Sequence, residues 1–170
     1  MTFSKEPKGI IGGGLGLGIH KVGAEFLGYR VGGSKANFLL LGFGDFGIIQ
    51  LGGGNFGIRP HIDLLVPDIS FGVGITPRYK LIMNFSDTEP LFSLEPWGGW
   101  NFELWFIEGV EVVFINTGLS IGADVELFAK NLYLFFEINL NFLGIPRREY
   151  EISINYTNYL IKLGAAYRIY

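Results

Sequence analysis

Two stretches, ISFGVGITPRYKLIM at Ile69–Met83 and VFINTGLSIGADVEL at Val113–Leu127, alternate between apolar residues and small or polar ones. In both stretches, nearly every residue of one parity is apolar, whereas the other parity is mainly glycine, serine, asparagine, threonine or an ion. A period of two is that of a β-strand, whose successive side chains point to opposite faces. Because each alternation lasts about 15 residues, against a usual strand length of about 5–6, we predict unusually long β-strands.

The same period recurs at Phe56–Val66 and Leu132–Phe142. Less regular strands are predicted at Ile11–Ile19, Val22–Val31, Ala36–Leu51, Phe92–Phe106, Glu151–Tyr156 and Tyr159–Tyr170. The parity changes near His20-Lys21 and again at Thr157-Asn158, which predicts a break in the chain direction at each place. The chain is therefore expected to hold about ten strands, with eight as the fallback, because a closed meander with both ends on one side has an even number.

Turn-forming residues separate the predicted strands. They occur at Gly32–Lys35, Gly52–Gly54, Pro67-Asp68, Ser86–Pro90, Glu108-Gly109, Lys130-Asn131 and Gly144–Arg148. The alternation within Ala36–Leu51 breaks near Asp45, which predicts either one bulged strand or two short strands.

The composition excludes several classes of protein. Glycine supplies 26 of the 170 residues, roughly twice its ordinary share, but without the period of collagen. The apolar fraction of 49% is too high for a disordered chain, and the absence of cysteine excludes disulfide scaffolds and thiol enzymes. A net charge of −3 and an isoelectric point near 5.4 argue against binding to nucleic acid. The length suits one domain.

A charged fraction of only 17% and a mean hydropathy of +0.35 are unusual for a surface that faces water. A membrane-spanning helix needs about 18 consecutive apolar residues, and the sequence offers no such window. Strands of about 12–15 residues, by contrast, span an apolar band of about 25 Å even when tilted by about 35–45°. We therefore predict an all-β, antiparallel, up-and-down transmembrane β-barrel with its apolar parity outside. A soluble lipocalin-like barrel that binds lipid is the alternative.

In these alternating segments the chain resembles the small bacterial outer-membrane β-barrels of the OmpA and OmpX type, from Gly9 to Tyr170. Residues 1–8 are expected to form a disordered segment, and residues 9–170 a single barrel domain. The resemblance implies a C-terminal aromatic residue, which Tyr170 supplies. It also implies aromatic girdles at the two membrane interfaces, for which the candidates are Tyr29, Tyr79, Trp97, Trp105, Tyr150 and Tyr159.

The parity assigned to the lumen collects charges of both signs. These residues are Arg59, His61, Asp63, Arg78, Lys80, Glu95, Glu103, Asp124, Glu126 and Glu137. Residues two apart on a strand point the same way, and charges in a narrow lumen are costly unless they are paired. We predict an internal salt-bridge network. A selectivity element of a small pore and a hydrolytic site are the sharper alternatives.

A hydrolytic site would use His61 and Asp63 with Ser70, Ser93 or Ser120. Two observations argue against a hydrolytic site: no serine lies in a G-x-S-x-G elbow, and His61 falls in the middle of a predicted strand. Two histidines without clustered ligands do not indicate a metal site. The G-x-G-x-x-G match at Gly52–Gly57 lacks the helix that a nucleotide site needs, so no cofactor is expected.

The sequence thus predicts an integral outer-membrane barrel that acts as a membrane scaffold or as a small passive pore, not as an enzyme. A soluble lipid-binding barrel and an outer-membrane lipid-modifying or proteolytic enzyme are the alternatives. The expected partner is a lipid bilayer or detergent around a monomer, and nucleic acid is not expected. Surface contacts are expected through loops 84–90 and 144–149. This location presumes that a signal peptide is absent from the sequence.

Overall fold

The computed structural model describes residues 9–27, 29–67, 69–84, 92–107, 113–127, 131–145, 147–149 and 152–169. In this part of the chain there are strands and turns but no helix. The strands are β1 (Gly9–Phe26), β2 (Tyr29–Leu51), β3 (Gly54–Val66), β4 (Ser70–Leu81), β5 (Met83–Asn84), β6 (Phe92–Ile107), β7 (Val113–Leu127), β8 (Leu132–Ile145), β9 (Arg147–Glu149) and β10 (Ile152–Ile169).

Eight long strands form a closed antiparallel ring in chain order. Each pairs with the next one along the chain, and β1 pairs with β10 from Gly9↔Ile169 to Phe26↔Ile152, which closes the ring. The short strands β5 and β9 follow β4 and β8 and pair with β6 and β10. The up-and-down barrel is therefore confirmed. The estimate of about ten strands across the ring is wrong, and the fallback of eight is correct.

The excess strands arose from breaks that the chain does not make. His20-Lys21 lies inside β1, Gly32–Lys35 inside β2, and Thr157-Asn158 inside β10. In the described part of the predicted turn at Gly144–Arg148, the residues belong to β8 and β9. The parity changes there because these strands run past the apolar part of the ring. Beyond the apolar part of the ring, polar residues such as Lys21 occupy the outward positions of the strand. The strand itself continues in the same direction.

Other predicted features agree with the structure. Gly52 and Gly53 form the β2–β3 turn with φ of 53° and 94°, which L side chains rarely adopt. The register of β2 against β3 shifts between Gly47 and Ile49, so Ala36–Leu51 belongs to one bulged strand. Outside the described residues lie segment 1–8, Asp68, the predicted turns at Ser86–Pro90 and Glu108-Gly109, Lys130, Tyr150 and Tyr170.

The two ends of the ring differ. The terminal end carries Gly9, Ile169 and the Gly52-Gly53 turn, whereas the distal end carries the β1–β2 and β3–β4 connections. Val66, the last residue of β3, pairs with Phe38. The part of β2 before Phe38 therefore has no β3 neighbour and extends with β1 and β10 beyond the distal rim, where residues 29–36 are exposed.

The barrel has its apolar residues outside and its polar residues inside. On β7, for example, Ile115 and Ile121 are 41% and 52% exposed, whereas Asn116 and Ser120 are fully buried. The same arrangement recurs on all eight long strands, with exposed leucine, isoleucine, valine and phenylalanine on the outer face. Within the described residues, no helix is long and apolar enough to cross a membrane.

Glycines on the inner face make room for the interior aromatic rings. A Cβ built on Gly122 would lie 2.6 Å from Cζ2 of Trp97, and one on Gly72 would lie 2.8 Å from the Trp105 ring. Gly98, on β6, pairs with Ile121 beside Gly122, but a Cβ there would meet nothing within 4 Å. Gly72 and Gly122 are therefore required by packing rather than by a turn.

We expect Gly122→Ala to lower the free energy of unfolding by about 1–3 kcal/mol, because the new methyl group overlaps the buried Trp97 ring. The matched variant Gly98→Ala adds the same methyl group to open space and is expected to change it by less than about 0.5 kcal/mol. Urea titration of the refolded proteins, followed by tryptophan fluorescence, measures both values. Equal midpoints for the two variants would contradict this packing.

Candidate functional site

The inner face of the ring carries the charges that the sequence singled out. Nine of these residues are buried: Arg59, His61, Asp63, Arg78, Lys80, Glu95, Glu103, Asp124 and Glu137. Glu126 is half-buried near the terminal end, where its Oε1 lies 3.1 Å from Nη2 of Arg168. The alternation of each strand brings these groups together because every second side chain must point into the same narrow space.

Most of the charges form one group, which we call the arginine cluster: Arg59, Arg78 and Lys80 with Asp45, Glu95, Asp124 and Glu137. The Nη1 atom of Arg59 donates to Glu137 Oε2 at 2.9 Å, and its Nη2 atom donates to Asp124 at 3.1 Å. Lys80 Nζ lies 2.6 Å from Asp124 Oδ2 and 2.9 Å from Glu95 Oε2. Arg78 pairs with Asp45. Each cation thus contacts carboxylates from at least one other strand.

Aromatic rings cover the faces of the two guanidinium groups. The Arg59 guanidinium carbon lies 4.2 Å from the centre of the Phe43 ring and 5.0 Å from that of Trp97. Arg78 lies 4.7 Å from the Trp97 ring. An arginine that is paired with carboxylates at its edge and stacked on rings at its face satisfies its charge without water.

A second group, the Glu103 cluster, lies nearer the distal end and consists of Glu103, His61, Trp105, Asn101, Asn141 and Asn158. Asn101 Nδ2 donates to Glu103 Oε1 at 2.6 Å. Trp105 Nε1, Asn141 Nδ2 and Asn158 Nδ2 donate to Glu103 Oε2 at 2.5, 2.8 and 3.1 Å. Neutral donors therefore stabilise this carboxylate where the arginine cluster uses cations.

Lys162 connects the two clusters. Its Nζ atom lies 2.7 Å from Asp63 Oδ2 and 3.6 Å from Glu137 Oε1, and the side chain is fully buried. Asp63 in turn lies 3.7 Å from His61 Nε2, which contacts Glu103 at 3.3 Å. The interior polar groups thus form a continuous network from Glu95 to Glu103.

His61, Asp63 and Glu103 offer ligand atoms within 4.8 Å of one another, the spacing of a metal site. The surroundings do not suit a cation, however. Glu103 already accepts hydrogen bonds from three neutral side chains on one oxygen and from Asn101 on the other, and Lys162 places a positive charge against Asp63. The trio therefore fits an ion-paired hydrogen-bond network better than a metal centre.

The serines considered for a hydrolytic site have other partners or positions. Ser93 donates to Glu126 at 3.3 Å, and Ser120 hydrogen bonds Asn139. Ser70 lines a cavity at the distal end. Among the described residues, the hydrogen bonds of His61 go to Glu103 and to the Arg59 carbonyl, and none joins it to a serine. The structure brings His61 and Asp63 together, but among the residues it describes no serine hydroxyl is hydrogen bonded to them.

The sequence did not predict that Asp45 and Lys162 belong to the interior network. Asp45 lies at the bulged part of β2, where the parity breaks, and Lys162 lies on a strand that the sequence appeared to divide. The girdle assignment of Trp97 and Trp105 is wrong, because both rings are buried in the interior. The alternation could have predicted this, because Trp97 and Trp105 have the same parity as Glu95 and Glu103, which were assigned to the interior.

An apolar layer separates the Glu103 cluster from the distal end. It consists of Leu39, Leu65, Trp105, Phe114, Tyr156 and Leu160, all buried. Trp105 contacts Glu103 through its indole N–H and lies edge-on to the His20 ring, with centroids 5.4 Å apart. Buried side chains from β2, β3, β6, β7 and β10 therefore pack together inside the ring at this level, as the charged side chains do at theirs.

No protein-family model and no curated protein sequence matches the chain. Among solved structures it is similar to Neisserial surface protein A, with a TM-score of 0.55 and 11% identity over 94% of this chain and 96% of that one. Outer membrane protein OprG from Pseudomonas aeruginosa gives 0.49 and 9% over 98% and 97%. Ail, the attachment invasion locus protein of Yersinia pestis, gives 0.35 and 13% over 95% and 99%. The first similarity shows the fold, which is that of the small outer-membrane β-barrels.

We expect Arg59→Met to lower the free energy of unfolding by about 3–5 kcal/mol, because Glu137 and Asp124 then lose a buried cation. The control is Arg30→Met. Arg30 makes a salt bridge of 3.0 Å to Glu25 at the exposed distal rim, and its loss is expected to cost at most about 1 kcal/mol. Urea unfolding of both variants, monitored by circular dichroism, gives the two values. A loss in Arg59→Met no larger than in Arg30→Met would contradict the role of the arginine cluster.

Proposed function

We propose that this protein is an integral outer-membrane β-barrel that acts as a closed membrane scaffold. The observation that carries the proposal is the inverted distribution of polarity, with apolar side chains exposed on the outer face of every long strand and ionised groups buried inside. A soluble barrel requires the opposite distribution, with charged residues on its outer face, because that face contacts water. When lipid surrounds the barrel, the outer face requires no charged residues, and its apolar side chains contact the acyl chains instead of water.

The length of the strands supports a membrane-spanning barrel. The strand β7 has 15 residues and β8 has 14, which corresponds to about 45–50 Å along the strand. At a tilt of about 35–45° this length exceeds the apolar band of about 25 Å that such barrels present to lipid. Each of the eight long strands described is also paired on both sides, so the ring has no open edge, which the interior of a bilayer would penalise.

The outer membrane of bacteria is the proposed location. Single-chain barrels with an even number of antiparallel strands, short turns and an apolar outer belt are typical of that membrane. The fold shared with Neisserial surface protein A supports the same assignment. We place the terminal end toward the periplasm, because the Gly52-Gly53 turn is short and the strands β1, β2 and β10 extend from the distal end.

The filled interior favours a scaffold over a passive pore. Arg59, Arg78 and Lys162 are almost completely buried, so their side chains occupy the space that a conducting lumen would keep open. The apolar layer around Trp105 lies between this network and the distal end. A solute would have to displace both, and these described side chains occupy space that the central lipid cavity of the soluble alternative would need.

The proposed partners are the lipid bilayer and, at the cell surface, a contact through residues 144–149. In the described part of this segment, Gly144 and Ile145 end β8 and Arg147–Glu149 form β9, all at the distal end, whereas Asn84 ends β5 at the terminal end. In the proposed orientation, β9 therefore faces outward and Asn84 faces the periplasm. We assign no enzymatic activity and expect a monomer.

The first test concerns the lipid-facing belt. Ile121 lies midway along β7 on the outer face, whereas Val31 is 74% exposed on the distal extension. We expect Ile121→Arg to reduce the free energy of folding into lipid vesicles by about 2–4 kcal/mol, and Val31→Arg to leave it unchanged. The measurement is the folded fraction at increasing urea concentration, read from the mobility shift between heated and unheated gel samples. A wild-type chain that folds as a monomer without lipid or detergent would refute the proposal.

A second test concerns closure of the lumen. We expect no stepwise ion conductance when the folded protein is reconstituted in a planar bilayer, because charged and aromatic side chains fill the interior. A conducting outer-membrane porin in the same lipid serves as the positive control, and the mobility shift confirms that the inserted protein is folded. Reproducible single-channel steps from the wild-type protein would show that the interior opens and would replace the scaffold with a pore.

A further inference from the structure

A cavity of about 560 Å³ lies at the distal end, between the extension of β1 and β2 on one side and the β3–β4 turn, β4, β6 and β10 on the other. Its volume falls within the range of about 300–1,000 Å³ that is typical of small-molecule sites. The cavity is separate from the charged interior, because His20 and Tyr156 line it while Trp105, against the His20 ring, belongs to the apolar layer beneath.

The polar groups of the cavity are largely buried, unlike those of a surface depression. His20 Nδ1 and the Tyr156 hydroxyl form a hydrogen bond between β1 and β10, and both residues are more than nine-tenths buried. Asn37 and Ser70 are buried to the same degree on β2 and β4. The side-chain oxygen of Asn37 has no hydrogen-bond partner among the described residues. A buried polar group of this kind is costly, and a ligand that donates to it or repositions the amide would lower that cost.

Apolar side chains line the cavity alongside these groups. Val22, Ile69 and Ile107 contribute from β1, the β3–β4 turn and β6, and Pro67 adds a further apolar surface. Val22 and Ile69 are 43% and 56% exposed. A site with apolar walls and a few buried polar groups takes a ligand with an apolar body and a polar end.

The charge of the lining indicates the sign of that polar end. Lys35 contributes a positive charge and His20 an imidazole, whereas no aspartate or glutamate is among the described lining residues. The hydroxyl groups of Ser34 and Ser70 add hydrogen-bond donors. Among the described lining residues, these groups complement an oxygen-rich anionic group and include no carboxylate that would pair with a cation.

From this geometry we propose that the distal cavity binds a small amphiphile that has a short apolar chain and a carboxylate end. The ligand enters from the distal side and stops above the layer that contains Trp105. This function goes beyond that of a scaffold, because it gives the outward face of the barrel a specific small-molecule site.

Octanoate is the probe, with octyltrimethylammonium as the cationic counterpart of equal chain length. The protein is reconstituted in nanodiscs of zwitterionic lipid, and the Trp105 indole N–H signal is followed by NMR, because this ring lies against His20. We expect a saturable shift with octanoate and at least tenfold weaker binding of octyltrimethylammonium. Equal binding of the two probes would overturn the assignment of the polar end, and the absence of a saturable shift with octanoate would overturn the site.

Two glycines provide a matched pair of variants. A Cβ on Gly33 or on Gly23 would meet nothing within 4 Å, but Gly33 lines the cavity on β2 whereas Gly23 has the outward parity of β1. We expect Gly33→Phe to weaken octanoate binding at least tenfold and Gly23→Phe to leave it within twofold of wild type. The gel mobility shift, run on the same samples, separates loss of binding from loss of the barrel. Folded Gly33→Phe protein that binds octanoate as wild type does would overturn the proposal.

Discussion

The rest of the interior depends on one constraint, which is that every buried charge must be paired inside the ring. The pairing of Arg59 with Glu137 and Asp124 is the main example. Once the ring closes, every second residue points into a space that bulk water scarcely reaches, and each charge there must find its partner in that space. Among the described buried residues, the acids Asp45, Asp63, Glu95, Glu103, Asp124 and Glu137 outnumber the bases Arg59, Arg78, Lys80 and Lys162. The difference explains why Glu103 is surrounded by amide and indole N–H groups, because neutral donors replace the cations that this carboxylate lacks.

Glycine and tryptophan residues together determine how side chains fit inside the ring. An eight-stranded ring has an interior just wide enough for side chains, so a large ring on one strand requires an absent side chain on its neighbour. Trp97 opposite Gly122 and Trp105 beside Gly72 are two cases. The high glycine content and the aromatic content of the sequence are thus parts of one packing arrangement, and neither could change alone without an overlap or a void.

The alternation at Ile69–Met83 and Val113–Leu127 was sufficient to predict the barrel and the side on which its charges lie, because a period of two has one structural meaning. The number of strands could not be counted in the same way. Where β1 passes the rim at His20, polar residues take the outward positions, and a change of environment looks like a change of direction. Contacts across the ring, such as Lys162 with Asp63, depend on the register of distant strands, which no local pattern encodes.

These cross-ring contacts also bear on how the barrel holds its shape. Lys162 on β10 binds Asp63 on β3, and Arg59 on β3 binds Glu137 on β8, so the charges connect strands that share no backbone hydrogen bonds. Hydrogen bonds between neighbours fix the register around the wall but leave its cross-section free to flatten. Bridges through the interior oppose flattening, because separating opposite walls would expose unpaired charges to a medium of low dielectric. A polar interior therefore stabilises the round section of a barrel whose outer face, being apolar, has no directional contacts to define it.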